Sequence, residues 1–538
     1  MVACHKTALG IRRNKASEEP LLALHHAADE AFEMTSTFGL DPARAKKILI
    51  LAAPIVIAML TQTSINIVDT IFVGKLDPSR SIPGQAALGF SLPLLWAFGG
   101  SLAAVGIGTQ VMTARRWGAG KPEEAGKTML NSAILATSSA IIMSIIAWFA
   151  IPDAFGFLTT NHAVTDVGIP YARIRILGIT SLVLTTAYKG FFDGLGKTRV
   201  HMYAALVMNA ANIGLNYICI FGMGSIPAMY VKGAGIASLI STFIGLFIVI
   251  GWTFAPKYRE FRIYRPSNVD LKTMWELTKL SVPSGMAQIF IMSGVLMFLK
   301  IIAALDDQAA SQILHSLGHY ASEQLAPALA LQQGLTQTPA VGNSALVYDW
   351  GATMLSSRPP LFTTAAKLII DLLSIGFVTT IAFGTATATL VSQSMGKRNF
   401  QLASDYGWDS VKMGMYFYGA LGLIVVAFPM QFLDFLSDDP EVMAAAVPGL
   451  RIMASLQMFI AMALVLTQAL FGAGATRFVM IVEFILHGVC LAPLAFLFAM
   501  VLDLGFLGVW LSGTLYVFLL AMIMGIKFWR GDWTSIEV

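Results

Sequence analysis

The sequence predicts an all-α polytopic membrane protein with twelve transmembrane helices, arranged as two six-helix lobes related by an internal pseudo-twofold repeat. Three observations support this fold class: the composition, twelve apolar runs and a repeated set of motifs. Of the 538 residues, 56% are apolar and only 12% are charged, whereas soluble domains carry about 25% charged residues. A soluble globule could not cover its surface with so few charges, so the excess apolar surface must face lipid.

Each helix that crosses a bilayer needs about 20 predominantly apolar residues. Hydropathy along the chain divides it into runs of that length, separated by short polar connections. The predicted spans are 48–74, 86–114, 128–151, 168–188, 200–222, 233–255, 277–303, 362–392, 404–430, 442–471, 477–501 and 506–528.

Lysine and arginine are concentrated in alternate connections, which fixes the predicted orientation. The 2–3 loop and the 6–7 linker are basic, whereas 152–167 and 431–441 contain no Lys or Arg. Because positively charged loops stay on the cytoplasmic side, both chain termini are predicted to be cytoplasmic. We expect a multi-pass protein of the plasma membrane, in a bacterium the inner membrane. The net charge of +4 then reflects topology, and no nucleic-acid partner is expected.

Two short motifs recur at one offset, which predicts an internal duplication. The string GLGKTR ends at Arg199, and GAGATR ends at Arg477, 278 residues later; GAGKPEEA and GKRNFQLA match at the same offset. Nearer the start of each half, Pro54 matches Pro283 at an offset of 229. The difference of 49 residues places an insertion in an external loop of the second half, at about 306–360.

The duplication gives a predicted division of the chain. Six helices are an even number, so both halves enter the membrane from the same side, as in transporters built from parallel repeats. The division comprises a cytoplasmic tail (1–45), a first lobe (46–256), a linker (257–276) and a second lobe (277–530) that carries the insertion.

With these motifs the sequence resembles the multidrug and toxic compound extrusion (MATE) family, and its DinF-like members in particular. The strings that carry the resemblance are AAPIVIAMLTQTSINIVDTIFVGKL in the first span, FFDGLGKTR after the fourth, MNAANIGLNYICIFG in the fifth, GAGIAS in the sixth and LFGAGATR in the second half. The resemblance implies twelve helices in two lobes. It also implies export of organic, often cationic, compounds against an inward flow of Na⁺ or H⁺.

Asp69 is the leading candidate for the site that couples transport to the ion. It lies inside the apolar run of the first span, where an ionisable group is costly and points to a function. A carboxylate there could bind Na⁺ or accept a proton; the alternative is an aspartate that only reaches the headgroups at the helix end. The resemblance assigns ion coupling to the aspartate of this motif.

The fifth span supplies the expected partners of Asp69. Asn212 and Asn216 share one helix face at i, i+4, and Asn209 lies one turn before Asn212; the alternative is that these amides only join helices together. DinF-like members carry an aspartate where this chain has Asn216, which makes a proton relay between two acids doubtful and leaves Na⁺ open. Ser238 matches the family's hydroxyl in the sixth span.

The second lobe offers a further candidate polar site. Lys367 with Asp371, and Glu483 with His487, are both i, i+4 pairs within predicted spans. They are either self-neutralising structural pairs or a second site for a cation or a substrate amine. The seventh span, which carries an acid in other members of the family, contains none here.

Pro54 and Pro283 lie in the first helix of each lobe. Proline removes a main-chain hydrogen bond from a helix interior, so we expect these two residues to allow helix bending between inward-facing and outward-facing states.

Taken together, these features predict a secondary active antiporter that exports an organic, cationic and amphipathic compound by alternating access. Its partners are then the lipid bilayer and a small-molecule substrate, and we expect a monomer with no cofactor and no metal beyond a Na⁺ at Asp69. A lipid-linked precursor flippase is an alternative, against which the near absence of mid-membrane arginine argues. An organic-anion exporter is another alternative. A membrane enzyme is disfavoured, because no catalytic set clusters on one membrane face.

Overall fold

The computed structural model describes residues 39–159, 161–320, 361–437 and 439–537. Within these residues the chain forms twelve helical rods, α1 to α12, joined by short connections. Their bounds are α1 Pro42–Gly74, α2 Pro78–Leu95 continuing into Val105–Gly118, α3 Pro122–Leu158, α4 His162–Leu177 with Ile179–Gly194, α5 Arg199–Phe221, α6 Tyr230–Thr253, α7 Leu271–Tyr320, α8 Leu361–Gly396, α9 Phe400–Ala427, α10 Pro440–Ser455 with Gln457–Gly472, α11 Thr476–Val501 and α12 Gly505–Arg530.

The rods coincide with the twelve predicted spans and extend beyond most of them. Nine helices of the described residues are each long and apolar enough to cross a membrane. Two further spans, α2 and α10, qualify when each is taken as a pair of segments, bent by 42° and 54° respectively. In α2 the bend follows a π-helical turn at Trp96–Gly100, and a π-turn that ends in a glycine pair is a recognised cause of a kink.

The internal repeat is visible in the helix bounds themselves. The two segments of α4 begin and end at residues 162, 177, 179 and 194, and those of α10 at 440, 455, 457 and 472. Every bound differs by the 278 residues predicted from the motifs. The start of α9 follows that of α3 at the same offset, as does the end of α8 that of α2. The duplicated sequence therefore folds twice in the same way.

The predicted insertion at 306–360 is not wholly a loop. Residues 306–320 continue α7, which is a single helix of 50 residues, and 321–360 lie outside the described residues. Asp306 holds the two ends of this segment together at the start of α8. Its Oδ1 accepts from the main-chain N–H of Phe362 at 2.7 Å, and its Oδ2 accepts from that of Thr363 at 2.8 Å. A carboxylate at this position satisfies N–H groups that the first helical turn leaves free.

The two halves approach each other closely at one end, which we call the basic face. It is the end that carries the α2–α3, α4–α5, α6–α7, α8–α9 and α10–α11 connections. A side chain at Gly118, the last residue of α2, would collide with the main-chain oxygen of Gln393, and one at Gly396, the last residue of α8, with that of Arg115. Gly118 and Gly396 correspond in the repeat, and so do Arg115 and Gln393, so the contact is reciprocal about the pseudo-twofold axis.

Two glutamine amides and a guanidinium reinforce this contact across the axis. Gln110 Nε2 of α2 donates to the main-chain oxygen of Thr385 at 2.9 Å and to Thr389 Oγ1 at 2.8 Å. Gln393 Nε2 of α8 donates to the main-chain oxygen of Gly194 at 2.8 Å, and Arg115 donates to that of Ala473 at 2.7 Å. The structure is therefore closed between the halves at the basic face.

We expect Gly396→Val to force this face open, because the added methyl groups meet backbone and not a flexible side chain. The distance between spin labels at Lys121→Cys and Gln401→Cys, two exposed positions on the α2–α3 and α8–α9 sides, should lengthen by roughly one helix diameter, about 10 Å. Gly251→Val is the control, since no atom lies within 4 Å of a side chain built there. An unchanged distance distribution in Gly396→Val would show that this contact does not hold the face closed.

Candidate functional site

Asp69 is buried near the end of α1 that lies away from the basic face. The residue is 1% exposed, and its carboxylate accepts hydrogen bonds from two neighbouring helices. Ser238 Oγ of α6 donates to Oδ2 at 2.6 Å, and Asn216 Nδ2 of α5 donates to Oδ1 at 2.7 Å. A carboxylate held by such donors is stabilised in its ionised form.

Asn212, one helical turn before Asn216 on α5, belongs to the same hydrogen-bond network. Its Nδ2 lies 3.5 Å from Asp69 Oδ1 and 3.3 Å from Ser238 Oγ, and its Oδ1 accepts from Asn216 at 3.1 Å. Ser241, which was not predicted, also lies 3.5 Å from Asn212 Nδ2. The structure thus brings together four of the five predicted first-lobe residues, namely Asp69, Asn212, Asn216 and Ser238.

Asn209 is the predicted residue that the structure does not bring into this cluster. Its Nδ2 donates to the main-chain oxygen of Thr61 on α1 at 2.8 Å. Asn209 therefore ties α5 to α1 at a different depth and makes no hydrogen bond to Asp69.

Arg175 of α4 is the site residue that the sequence interpretation missed. One of its terminal nitrogens, Nη1, lies 3.5 Å from Asp69 Oδ2, and its side chain is 15% exposed. Arg175 lies near the middle of α4 and is an exception to the expected near absence of mid-membrane arginine. The available signal was the string YARIRILG within the fourth predicted span, because an arginine inside a span requires a nearby acid.

The arrangement determines how a cation could reach Asp69. Every side chain that faces the carboxylate presents a donor, and one of them is a guanidinium. A hard cation binds carboxylate oxygens at roughly 2.0–2.6 Å, so a Na⁺ at Oδ2 would be repelled by Arg175. Asn216 Oδ1 is buried and has no hydrogen-bond partner among the described residues, so it is an oxygen that a cation could use. A cation at Oδ2 would therefore compete with Arg175 for the carboxylate.

The candidate residues of the second lobe form two separate pairs. Lys367 and Asp371 lie 2.5 Å apart on α8, with side chains 71% and 47% exposed. Glu483 and His487 lie 3.2 Å apart on α11, with side chains only 3% and 4% exposed. Among the described residues, no hydrogen bond or ion pair links one pair to the other.

Pro54 and Pro283 are both buried within long helices, α1 and α7, that continue through them. The bends of 42° and 54° occur in α2 and α10. A role for the two prolines in helix bending stays a prediction. In the part of the chain that the structure describes, no group of three or more His, Cys, Asp and Glu side chains is placed to hold a metal ion.

Comparison with known proteins identifies the family. The model of the MatE family matches residues 54–218 and 351–497, which together make up more than half of the chain. The chain belongs to the MatE family. The first matched segment begins within α1 and includes Asp69 and the asparagines of α5, whereas the second begins after α7 and includes Glu483 and His487.

Curated relatives and solved structures of the family agree over most of the chain. A protein named probable multidrug resistance protein NorM from Thermotoga maritima is 23% identical over 497 residues, 91% of this chain and 94% of the relative. A NorM-named protein of Bacillus subtilis is 28% identical over 338 residues, 61% of this chain and 73% of the relative. These family members confirm a multi-pass membrane transporter and not an enzyme.

Two solved structures confirm the predicted fold. One is described as the outward-facing conformation of a multidrug resistance MATE family transporter; it has a TM-score of 0.74 at 20% identity and covers 92% of this chain and 97% of that one. A MOP superfamily transporter from Pyrococcus furiosus, described as having a binding pocket of reverse polarity, has a TM-score of 0.72 at 19% identity with the same coverage. Twelve helices in two lobes are thus the architecture of this chain.

Proposed function

We propose that this transporter is a secondary active antiporter that exports small organic molecules in exchange for Na⁺ or H⁺. The observation that carries the proposal is the buried Asp69, which α5 and α6 supply with donors and which α4 pairs with Arg175. A charge in the membrane interior is costly, so a buried carboxylate in α1 points to a function.

Exchange arises from competition at this carboxylate. When no coupling cation is bound, Arg175 neutralises Asp69, and when a proton or Na⁺ binds, Arg175 is released. Asp69 therefore makes different contacts with α4, α5 and α6 when it is paired with Arg175 and when it has bound the ion. For this reason the bound ion favours one conformation of the lobe. Such a difference in affinity between states is what ion coupling requires. Because the basic face is closed in this structure, the ion would reach Asp69 from the opposite side.

We infer an organic, amphipathic and cationic cargo. The NorM-named relatives are called multidrug resistance proteins. The second-lobe cavity described below is lined by an acid and, within the described part of the chain, by no Lys or Arg. Arg175 is the residue that could favour an organic anion instead, but its pairing with Asp69 neutralises it in this state. An organic-anion exporter and a lipid-linked precursor flippase therefore remain the alternative outcomes of the test.

The proposal extends to location and assembly. Basic loops predict that the basic face is cytoplasmic, in the plasma membrane or the bacterial inner membrane, with both termini on that side. The Asp69 cluster is completed within one chain, which supports action as a monomer. No cofactor is needed beyond the coupling ion.

Ethidium efflux from proteoliposomes tests the function. A Na⁺ gradient and a pH gradient are imposed in separate experiments. Each is directed so that the ion moves into the compartment from which ethidium leaves. We expect efflux under one gradient at several times the rate without it, and that gradient identifies the ion. Efflux of labelled organic acids in place of ethidium would favour the anion exporter. If neither class of compound moves under either gradient, the antiporter proposal is wrong.

A further inference from the structure

We propose that the second lobe contains a binding site for a flat, amphipathic organic cation, in a cavity headed by Glu483 and His487. The inference rests on the proposed export function and adds to it the place where the cargo is held. The cavity has a volume of about 320 Å³ and lies among α7, α8, α10, α11 and α12. That volume falls within the range of small-molecule sites, which are roughly 300–1,000 Å³.

The walls of the cavity are apolar and aromatic. Phe298, Phe377, Trp510 and Tyr516 line it from α7, α8 and α12, together with Leu, Ile and Val side chains. Aromatic faces attract organic cations, because the ring carries a partial negative charge on its face. The walls therefore suit a flat apolar body that carries a positive charge.

Glu483 and His487 supply the polar end of the cavity. Glu483 is 2% exposed and His487 is 3% exposed. His487 Nδ1 lies 3.1 Å from the main-chain oxygen of Glu483 and 3.2 Å from Glu483 Oε2. Both of these partners are acceptors, so a proton on Nδ1 satisfies both. Tyr516 completes the group, since its hydroxyl donates to the same Oε2 at 3.4 Å.

These contacts leave two acceptors for a ligand. Glu483 Oε1 and His487 Nε2 receive no hydrogen bond from any residue that the structure describes, although both side chains line the cavity. A buried acceptor without a donor is costly, and a ligand with N–H groups and a positive charge would satisfy both. No Lys or Arg is among the described residues that line the cavity, so nothing in its walls competes for the carboxylate.

The local backbone is consistent with a functional site. Residues Leu486–Leu491, which include His487, form a π-helical turn that begins three residues after Glu483. Such turns are rare and frequent at functional sites. The turn changes the helical register of α11 at the point where the two polar side chains meet the cavity.

Equilibrium binding of ethidium to the purified full chain in detergent tests the site, with fluorescence anisotropy as the readout. Ethidium is a flat cation with aromatic amine donors, and phenanthridine, its uncharged ring system, serves as a competitor. We expect Glu483→Gln to weaken ethidium binding at least tenfold and to leave competition by phenanthridine unchanged within a factor of three. Asp434→Asn is the matched control, because it removes an exposed acid of the same lobe that does not line the cavity, and it should not change either value.

A second variant keeps the test decisive if Glu483→Gln does not fold. Gly513 lines the cavity, and a side chain built there meets only Met453 Sδ at 3.7 Å. Gly513→Leu should therefore fill the cavity and abolish binding of both compounds. Ethidium binding that neither variant weakens, or an absence of saturable binding to the unmodified chain, would overturn the inference. Binding at this site without gradient-driven efflux would contradict the proposed function and leave the site standing.

Discussion

Asp69→Asn should reduce gradient-driven ethidium efflux to the background of liposomes without protein. Asparagine has nearly the shape of aspartate and can still bond Asn216 and Ser238, but it can neither take up a proton nor offer a charge to Na⁺. The affinity for the ion then no longer differs between the two conformations, so the imposed gradient can no longer drive transport of the substrate. Efflux is compared in matched proteoliposomes with equal amounts of inserted protein.

Two controls separate loss of coupling from loss of fold. Asp77→Asn removes an exposed aspartate just beyond α1 and should leave efflux unchanged. The double variant Asp69→Asn with Arg175→Gln removes both charges of the ion pair, so it does not leave the guanidinium beside a neutral partner and should be at least as stable as Asp69→Asn alone. It should also be inactive. Efflux near the unmodified rate in either Asp69 variant would exclude Asp69 as the coupling site.

Arg175→Gln should increase the apparent affinity for the coupling cation at least tenfold while it slows transport. A charge pair at 3.5 Å is worth on the order of 5 kcal/mol at an effective dielectric constant of about 20, and the cation loses that competitor in the variant. The Na⁺ concentration that gives half-maximal efflux should then be at least tenfold lower. If the ion is H⁺, the pH of half-maximal efflux should be at least about one unit higher. The groups that face Asp69 besides Arg175 are Asn212, Asn216 and Ser238, none of which titrates, and the nearby Tyr171.

Thermal stability provides a readout that a merely structural role of Arg175 would not give. Removing one partner of a buried pair costs about 3–5 kcal/mol, so the unfolding temperature of Arg175→Gln should fall without the coupling cation and recover when it is added. Arg173→Gln is the matched control, because Arg173 lies two residues earlier on α4 and contacts Trp148 instead of Asp69. A loss of stability that the cation does not restore would indicate that Arg175 serves packing alone.

Much of this fold could be predicted from the sequence, because the duplication lets the motifs of one half be compared with those of the other. The offset of 278 residues, taken from six-residue motifs, recurs in every bound of α4 and α10. Hydropathy alone does not show where a span bends, because the predicted spans of α2 and α10 run through their bends without a charged residue at the bend. Nor does it show that 306–320 continue α7, because this stretch is polar and lies past the predicted span.

Helical periodicity explains which site residues were predictable. Asn209 and Asn216 are seven residues apart, which returns to nearly the same face of α5 but about 10.5 Å further along it. Both therefore face α1, yet only Asn216 lies at the depth of Asp69, and Asn209 meets Thr61 instead. The spacing of residues along a helix predicts which way their side chains point. It does not give the depth of one helix relative to its neighbour.

Arg175 illustrates a different limit. Its helix, α4, is apolar on most sides, so its rotation about its own axis follows from packing against α3, α2 and α6 and not from any stripe in the sequence. The partnership of Glu483 and His487 was predictable from their i, i+4 spacing. The cavity in front of them was not, because it depends on five helices whose relative positions no single segment encodes.

Substrate-driven ion counterflow tests the central claim most directly. Proteoliposomes with no ion gradient receive a steep gradient of ethidium alone, and uptake of ²²Na⁺ or of protons is followed in the opposite direction. The account predicts uptake of one of these ions by the unmodified chain and none by Asp69→Asn. Ethidium efflux without counterflow of either ion, or equal counterflow in Asp69→Asn, would contradict exchange at Asp69.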